Sequence, residues 1–376
     1  MPTFIEKSYK SILNKKKFID SWFWDSYTLN PYNGCLFGCI YCDARNAQYR
    51  MPQDFENQII VKKDVTHLLR SQLNRGVHKP VDVIGVGGVT DAYQGAELKY
   101  ERTRACLEVI NEFKFPVHIA TKSDLILRDS DLLAEIARQT WCSVSFTIIS
   151  LDPAKSRFLD GRAPHPGKRL KALSTLKKNT SLQAGVLLMP LVPYVNDDPV
   201  ELEELVKAVK DQGADYILFA GGISMKNQQA TWFLSHLKQA YPDLIPAYEK
   251  LLDFSYKPNV YTGRQSPHFE YTARKNKMLL ALCEKHKLPY RMPRFIPSDY
   301  RKFNYLLAEK MFNEHYLQSI RGGASKEYYT LAQNIQRLKL GINRENLRDV
   351  VSLNFPGSEH LVPKLEMILD NLHGIK

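Results

Sequence analysis

Short apolar runs alternate with stretches of helical periodicity up to about residue 220. The apolar runs predict strands at residues 26–30, 81–85, 117–120, 144–149, 183–189 and 215–220. Amphipathic spacing predicts helices at residues 100–113, 129–138, 168–178 and 199–212. This alternation indicates about six βα units around a parallel sheet. Periodicity alone leaves a doubly wound sheet and an incomplete barrel equally open.

Helical spacing dominates beyond residue 221. Helices are predicted at residues 228–252, 271–286 and at several places after 299, with a loop at 254–268 and an extended segment at 290–297. We therefore expect three parts, namely a basic N-terminal segment at 1–23, an α/β unit at 24–255 and a mainly helical C-terminal region at 256–376.

The composition is that of a folded protein with a basic C-terminal part. Of 376 residues, 44% are hydrophobic, which excludes a disordered or collagen-like chain. The formal net charge is +12, and the segment 255–376 carries 20 Lys and Arg against 11 Asp and Glu. Such an excess predicts either a solvated surface or contact with a polyanion such as nucleic acid. We expect a cytoplasmic protein without membrane contact, because no apolar run is long enough to span a membrane and the lysine-rich start has no apolar signal core.

Three of the six cysteines, Cys35, Cys39 and Cys42, form a C-x3-C-x2-C pattern. Three thiolates in one short loop can hold three irons of a cubane cluster and leave the fourth iron open to a ligand. Zinc is the alternative, and its fourth ligand would have to come from a distant residue such as His78 or Cys106. The spacing therefore predicts a metal site and favours an open iron–sulfur centre.

The cysteine loop resembles that of the radical S-adenosylmethionine (SAM) superfamily. Four flanking segments resemble the spore photoproduct lyase-like subfamily, often labelled DNA repair photolyase. They are Asn30-Pro31-Tyr32, Thr90-Asp91-Ala92-Tyr93-Gln94, Thr121-Lys122-Ser123 and Arg162-Ala163-Pro164. The resemblance runs from residue 11 to residue 220, with a weaker echo at 291–295.

This resemblance implies an α/β fold, a partial (β/α)6 TIM-like barrel with the cysteine loop after its first strand and a mainly helical C-terminal extension. It implies a [4Fe-4S] cluster on Cys35, Cys39 and Cys42 and SAM bound to the open iron. One electron from a donor such as flavodoxin or ferredoxin would cleave SAM to methionine and a 5′-deoxyadenosyl radical, which abstracts a hydrogen from the substrate.

The resemblance also assigns SAM contacts at the carboxyl ends of the strands. Gly87 and Gly88 would allow close backbone approach, and Thr90 and Asp91 would receive the SAM amino group. Asp91 could equally be a helix cap. Lys122 would neutralise the SAM carboxylate, the alternative being a solvated surface lysine.

Three further residues complete the expected SAM site. Tyr41 would pack near the adenine, and Thr147 could donate a hydrogen bond or simply be a β-branched strand residue. Arg162 would bind a carboxylate or a phosphate through its planar guanidinium.

Two positions depart from spore photoproduct lyase. The hydrogen-donating cysteine before the Ser/Thr-Asp pair is Gly88 here, and the tyrosine after the third cluster cysteine is Asp43. Cys106 and Cys142 are expected to be buried structural residues. The resemblance therefore does not imply reversal of thymine dimers by this chain.

Three functions remain open at this point. The first is a radical SAM enzyme acting on nucleic acid, which the basic C-terminal third and its interleaved aromatics favour. Those aromatics are Tyr256, Tyr261, Phe269, Tyr271, Tyr290, Phe295, Tyr300 and Phe303. The second is a radical SAM enzyme acting on a small molecule or peptide. The third is an iron–sulfur binding or redox protein that does not cleave SAM.

Overall fold

The computed structural model describes residues 1–74, 80–321, 323 and 326–373. The chain forms two compact units. The first consists of Met1–Lys16 and Asp25–Met292, and the second of Lys17–Trp24 and Pro293–Lys376.

Strands and helices alternate through most of the first unit, as the periodicity predicts. The strands are β1 (Thr3–Lys7), β2 (Leu13–Lys15), β3 (Tyr27–Leu29), β4 (Tyr32–Asn33), β5 (Gln58–Lys62), β6 (Ile84–Val86), β7 (Val117–Thr121), β8 (Cys142–Thr147), β9 (Gln183–Leu188) and β10 (Tyr216–Phe219). The helices are α1 (Val65–Asn74), α2 (Glu97–Tyr100), α3 (Arg102–Glu112), α4 (Ser130–Gln139), α5 (Pro153–Asp160), α6 (Pro166–Asn179), α7 (Pro199–Asp211), α8 (Asn227–Ala240), α9 (Ile245–Leu252), α10 (Phe269–Lys285), α11 (Lys302–Arg321), α12 (Lys326–Ile335), α13 (Leu347–Asn354) and α14 (Val362–His373).

The main sheet is wound as a partial barrel. Within the described residues it has seven strands in the order β10-β9-β8-β7-β6-β3-β2. All neighbouring pairs are parallel except β2 with β3 at the edge. A doubly wound sheet reverses its strand order at a switch point, whereas here each parallel strand lies beside the next one in the chain. This order confirms the partial (β/α)6 barrel, in which loops at the carboxyl ends of the strands form the site.

The barrel interior is packed with polar as well as apolar side chains. Gly185 of β9 leaves room for the ring of Tyr216, because a Cβ on that glycine would lie 2.5 Å from the ring. The Tyr216 hydroxyl hydrogen-bonds Ser143 at 2.9 Å and Ser145 at 2.7 Å, and Ser145 lies 2.9 Å from His118 Nε2. These buried polar groups hydrogen-bond one another, so side chains fill the barrel interior without leaving these groups unpaired.

A small second sheet was not predicted from the sequence. It has the order β1-β5-β4, with β1 parallel to β5 and β4 antiparallel to it. It lies against the cysteine loop, since Cys35 N donates to Phe55 O at 2.9 Å and a Cβ on Gly34 would lie 2.5 Å from Gln58 O. Met1–Lys16 thus belong to the first unit and Lys17–Trp24 to the second, whereas the sequence predicted one separate basic segment at 1–23.

The boundary between the units lies at Met292, later than the boundary expected after residue 255. Helix α10 packs on α7 and β10, and Ile217 N of β10 donates to Pro289 O at 2.8 Å. Residues 256–292 therefore complete the barrel unit. The helix expected at 228–252 is divided into α8 and α9 because Pro242 and Pro246 lack the amide hydrogen that a continuous helix needs.

The second unit joins a short N-terminal segment to the C-terminal helices. Trp24 is buried, with its ring 6.0 Å from that of Phe312 and 4.9 Å from the guanidinium carbon of Arg294. Arg294 is buried too, and its Nη2 donates to Gln336 Oε1 at 2.7 Å. Among the helices that the structure describes, none combines the length and apolar character needed to cross a membrane.

Candidate functional site

The cysteine loop follows β3 and β4 at the carboxyl end of the first barrel strand. Gly34 and Gly38 have φ values of +84° and +67°, which favour glycine. Hydrogen bonds of 3.3 Å from Gly38 N to Cys35 O and from Cys42 N to Cys39 O form two successive turns. Cys35 and Cys39 are buried and Cys42 is partly exposed, so these turns carry all three thiols.

The surroundings of the thiols suit an iron–sulfur cluster. Burial raises the pKa of all three thiols, and that of Cys39 rises to about 12 although the Lys122 ammonium lowers it. For Cys35 burial is again the main cause, and the backbone amide of Asp91 opposes it by hydrogen-bonding the sulfur. Thiols held this way become thiolates when a positively charged group replaces the proton, as iron does. The residues present therefore fit a [4Fe-4S] cluster on three thiolates.

The zinc alternative gains no fourth ligand from the structure. Across the described ranges, no three His, Cys, Asp or Glu side chains form a group that could hold a metal ion. His78 lies outside the described residues. Cys106 is fully buried in α3, where Glu97 and Lys62 are its charged neighbours. Each thiolate of a cubane binds a different iron, so a cluster does not need its ligands gathered around one ion.

The segment after β6 holds the start of the cysteine loop. Gln94 is completely buried; its Nε2 donates to Gly34 O at 2.9 Å and its Oε1 accepts from Leu36 N at 3.0 Å. The Thr90 hydroxyl donates to Tyr32 O at 2.7 Å. Thr90 and Gln94 thus satisfy backbone groups before and within the first turn, which gives these two residues of the Thr90–Gln94 segment a structural role.

Asp91 links the same segment to β7. Its carboxylate accepts hydrogen bonds from Thr121 Oγ1 at 2.8 Å, Lys122 N at 2.7 Å and Tyr93 N at 2.9 Å. Burial raises the pKa of Asp91, and these donors oppose the rise. The carboxylate retains acceptor capacity beyond three hydrogen bonds. Its role toward the SAM amino group stays a prediction.

The two glycines after β6 differ in their surroundings. Gly87 has a φ of +84°, and a Cβ there would lie 2.8 Å from Ala120 O, so a tight turn requires glycine. Gly88 is exposed, and a Cβ there would have no heavy atom within 4 Å. The space at Gly88 leaves the backbone open to a ligand.

Lys122 and Tyr41 are brought together beside Cys39. Lys122 is partly exposed, with Nζ 5.5 Å from the centre of the Tyr41 ring. Burial acts to lower the pKa of Lys122, but the Cys39 thiolate, once it is ionised, and the Asp160 carboxylate outweigh burial, and the net pKa is raised. Lys122 is therefore a cation at neutral pH. Thr147 ends β8 and is buried.

Arg162 is not brought into this group. Its side chain is exposed and donates to Asn57 Oδ1 at 3.0 Å and to Glu56 O at 3.4 Å. Its backbone amide contacts the cysteine loop by donating to Phe37 O at 2.7 Å. A ligand-binding role for its guanidinium stays a prediction that the geometry does not favour.

Two residues of the site, Asp160 and Arg169, were missed from the sequence. They form a buried ion pair of 2.6 Å, and Asp160 also accepts a hydrogen bond from the Tyr41 hydroxyl. Arg169 lies on the same face of α6 as the buried Leu173 and Leu176. An arginine at core spacing needs a buried partner, and this signal could have identified it.

Two cysteines outside the loop, Cys106 and Cys142, are buried within the first unit. Cys106 lies in α3, and Cys142 opens β8 at the amino end of the strand. Both are buried, and burial raises the pKa of each thiol. Neither follows the carboxyl end of a barrel strand.

Residues 29–206 match the family model of the Radical SAM superfamily. The match covers just under half of the chain, so this part of the sequence is similar to the radical SAM domain. A spore photoproduct lyase with a cysteine-to-serine substitution superposes with a TM-score of 0.55 at 15% identity, over 75% of this chain and 79% of the lyase. A lyase structure with bound AdoMet and dinucleoside spore photoproduct superposes with a TM-score of 0.52 at 15% identity, over 69% of this chain and 74% of the lyase. At this identity the likeness concerns the fold.

Two relatives are similar in sequence. An uncharacterized protein of Mycobacterium tuberculosis is 31% identical over 229 residues, which are 60% of this chain and 66% of the relative. An uncharacterized protein of Methanocaldococcus jannaschii is 27% identical over 218 residues, or 58% of this chain and 77% of the relative. The match to the mycobacterial protein thus spans just under two thirds of its length.

Proposed function

We propose that this protein binds a [4Fe-4S] cluster through Cys35, Cys39 and Cys42 and uses it with SAM to abstract a hydrogen from its substrate. The observation that carries the proposal is the cysteine loop at the carboxyl end of β3, with three largely buried thiols and the Lys122 cation beside them. When bound, the cluster and SAM supply reductive cleavage of SAM to a 5′-deoxyadenosyl radical.

The residues around the loop have separate tasks in this proposal. Lys122 pairs with the SAM carboxylate, because its raised pKa keeps it charged next to the loop. The Tyr41 ring would lie against the adenine of bound SAM. Gly87 and Gly88 leave the backbone after β6 open to the ligand, and Thr90, Asp91 and Thr147 supply polar groups. A cytoplasmic electron donor such as flavodoxin or ferredoxin delivers the electron.

Anaerobic reconstitution tests the cluster and SAM cleavage together. The protein is loaded with iron and sulfide, reduced with dithionite, supplied with SAM and assayed for 5′-deoxyadenosine. We expect product from the native chain and from Cys106→Ala, whose cysteine lies in α3, and none from a variant with Ala at positions 35, 39 and 42. A cubane absorbance retained by the triple variant would contradict the assignment of the ligands. A full cluster without product, with no SAM-induced change in the EPR spectrum, would favour the non-cleaving redox or binding protein.

For the substrate we propose a nucleic acid, which an exposed aromatic and cationic surface in the first unit supports. Tyr194 is 46% exposed at a left-handed φ of 63°, and its ring lies 6.2 Å from that of the buried Tyr271. The exposed Arg274 lies 5.8 Å from the Tyr271 ring. Aromatic rings that stack on bases next to cations are typical of single-strand binding surfaces. One similar lyase structure holds a dinucleoside spore photoproduct, and a nucleic acid belongs to the same chemical class.

The C-terminal region supports this proposal less than its charge suggests. Arg344 and Arg348 are both paired with Glu366, and Arg301 with Asp299. Paired cations contribute less to phosphate binding than free ones. Of the aromatics interleaved with the basic residues, Tyr271 is buried, whereas Phe269 and Tyr300 are exposed.

Fluorescence anisotropy with a single-stranded oligonucleotide distinguishes the substrate classes. We expect binding that weakens with salt. Tyr194→Ala and Arg274→Ala should each reduce the affinity by roughly fivefold or more, while Arg138→Ala on α4 should not. Absence of salt-dependent binding by the reconstituted protein, or equal binding by all variants, would favour a small molecule or peptide substrate.

A further inference from the structure

A buried ion pair lies directly behind the cysteine loop, at the connection between α5 and α6. Arg169 Nη1 is 2.6 Å from Asp160 Oδ2, with no exposure of the Arg169 side chain and 2% exposure of that of Asp160. Arg169 also donates to Thr147 O at 2.9 Å and to Pro164 O at 2.7 Å. The arginine thereby fastens this connection to the carboxyl end of β8.

The same connection contacts the cysteine loop through backbone groups. Ile40 N donates to Leu159 O at 3.0 Å, and Arg162 N donates to Phe37 O at 2.7 Å. Gly161 lies between these bonds, and a Cβ on it would be 2.3 Å from Phe37 O. The loop and the connection therefore lie against each other without a gap.

Asp160 contacts the loop at two further points. Its carboxylate accepts a hydrogen bond from the Tyr41 hydroxyl, and its carbonyl oxygen lies 3.6 Å from Cys39 Sγ, which donates to it. Tyr41 and Cys39 are thus held by one residue, which Arg169 holds in turn.

We propose that Asp160 and Arg169 are positioning residues that fix Tyr41 and Cys39 before any cofactor binds. The ion pair acts through the Tyr41 hydroxyl and the Asp160 carbonyl, and it needs no contact with a ligand. This inference builds on the proposed cluster site, but its main test uses the protein without cluster.

A cysteine loop of two short turns has little stability of its own. Local segments open at a cost set by the contacts that hold them. A hydrogen bond to a charged carboxylate is stronger than one between two neutral groups. The ion pair with Arg169 offsets the cost of burying the Asp160 charge. The pair therefore limits opening of the loop.

Thiol alkylation of the cluster-free protein measures this opening. The protein is treated with iodoacetamide at fixed pH, and the labelling rate of each cysteine is read by mass spectrometry. Cys39 reports on the loop. Cys106 and Cys142, which are buried in α3 and β8, report on unfolding of the whole unit. The informative quantity is the ratio of the Cys39 rate to the Cys106 rate.

Two variants separate position from charge. Tyr41→Phe removes only the hydroxyl that donates a hydrogen bond to Asp160. Arg169→Met removes a cation whose charge lowers the pKa of Cys39. Loss of this charge alone would raise the pKa of Cys39 and slow its alkylation. Loosening of the loop would instead accelerate alkylation, so the two effects have opposite signs. Lys177→Met is the matched control, because Lys177 lies on the same helix and pairs with Asp215 at 2.8 Å, away from the loop.

We expect the rate ratio to rise about tenfold for Arg169→Met and severalfold for Tyr41→Phe, as the loss of a charge-assisted hydrogen bond predicts. Lys177→Met should leave the rate ratio unchanged.

A double variant tests whether the two groups act as one unit. Adding Tyr41→Phe to Asp160→Ala should raise the rate ratio by a smaller factor than Tyr41→Phe raises it in the native chain, because the hydroxyl has already lost its acceptor. A ratio that stays at the native value in both single variants, or that changes equally in the Lys177→Met control, would overturn the proposal. If Arg169→Met unfolds, which Cys106 labelling reveals, Tyr41→Phe decides.

A second readout connects the pair to the cluster. After reconstitution, iron release to a chelator should be faster in Tyr41→Phe than in the native chain and in Lys177→Met. Native release rates in Tyr41→Phe, with a stable cluster in the native protein, would overturn the positioning role and leave the cluster site intact. A native chain that assembles no cluster would instead overturn the proposed function, while the alkylation result would still decide the positioning role.

Discussion

Gly161 shows how one residue type sets the geometry of the cysteine loop. Its φ is +60°, and the backbone of Phe37 occupies the place of a side chain. Gly213, after α7, also has a positive φ of +81°, but a Cβ there would have no heavy atom within 4 Å. A side chain at Gly213 would therefore cost only the backbone strain of a positive φ, whereas one at Gly161 would also collide with the backbone of Phe37.

We expect Gly213→Ala to lower the free energy of unfolding by about 1 kcal/mol, the usual cost of a left-handed residue. Gly161→Ala should cost about 3 kcal/mol, because strain and overpacking add to it. Urea denaturation followed by circular dichroism measures both. Equal losses in the two variants would mean that the contact between Gly161 and Phe37 is not close in solution.

Lys122 offers a test of ligand binding that is separate from cluster assembly. Lys122→Ala should weaken SAM binding by about tenfold or more, because the variant loses the cation expected to meet the carboxylate. Iron content should stay at the native level, since lysine is no ligand of iron here. Equilibrium dialysis with labelled SAM and an iron assay measure the two quantities. Lys178→Ala, an exposed lysine on α6, is the control, and a loss of affinity equal to that of Lys122→Ala would refute the specific role.

Among the elements, α7 and α10 are joined by a surface ion pair that responds to pH. Glu203 of α7 accepts from Lys285 of α10, and His286 Nε2 lies 3.1 Å from the same carboxylate. The Lys285 hydrogen bond, with a further contribution from His286, lowers the pKa of Glu203 below its ordinary value of 4.5. A carboxyl with a lowered pKa stabilises the fold above its unfolded-state pKa and loses this contribution as the pH falls through the folded-state value.

Glu203→Gln should therefore destabilise the protein at pH 6, and the effect should shrink as the pH falls through the lowered folded-state pKa, because the native carboxyl then becomes protonated as well. Urea midpoints of the native chain and the variant at several pH values give this difference, which is small because the pair is exposed. Glu204→Gln controls for the change in net charge. A difference that persists unchanged to pH 3 would show that the carboxylate charge is not the cause.

At the scale of the molecule, the extent of the barrel unit decides where the chain can be shortened. Helix α10 and Pro289 pack on β10 and α7, so residues up to Met292 belong to the barrel. A chain ending at Met292 should keep a cooperative thermal transition. One ending at Phe254 should lose it, because β10 and α7 would expose the apolar surface that α10 covers. Circular dichroism melting compares the two, and a cooperative transition in the shorter chain would place α10 outside the barrel unit.

The order of strands and helices was predictable because it follows from local periodicity. The barrel strands β3 and β6 to β10 lie within a few residues of their predicted positions. The small sheet was not predictable, since β4 has two residues and pairs with a strand beginning at Gln58. The division of the helix at 228–252 could have been read from Pro242 and Pro246, because proline ends helices by a local mechanism.

The sequence by itself determined the chemistry of the site, namely three thiols at C-x3-C-x2-C spacing after the first barrel strand and a lysine after the third. Only the tertiary structure decided which polar groups support them. The Tyr41–Asp160 and Gln94–Gly34 hydrogen bonds join residues 119 and 60 positions apart. Periodicity records the face on which a residue lies, but not its partner across the fold. A buried polar group must still find one, and for Tyr41 and Gln94 the winding of the barrel brings that partner into reach.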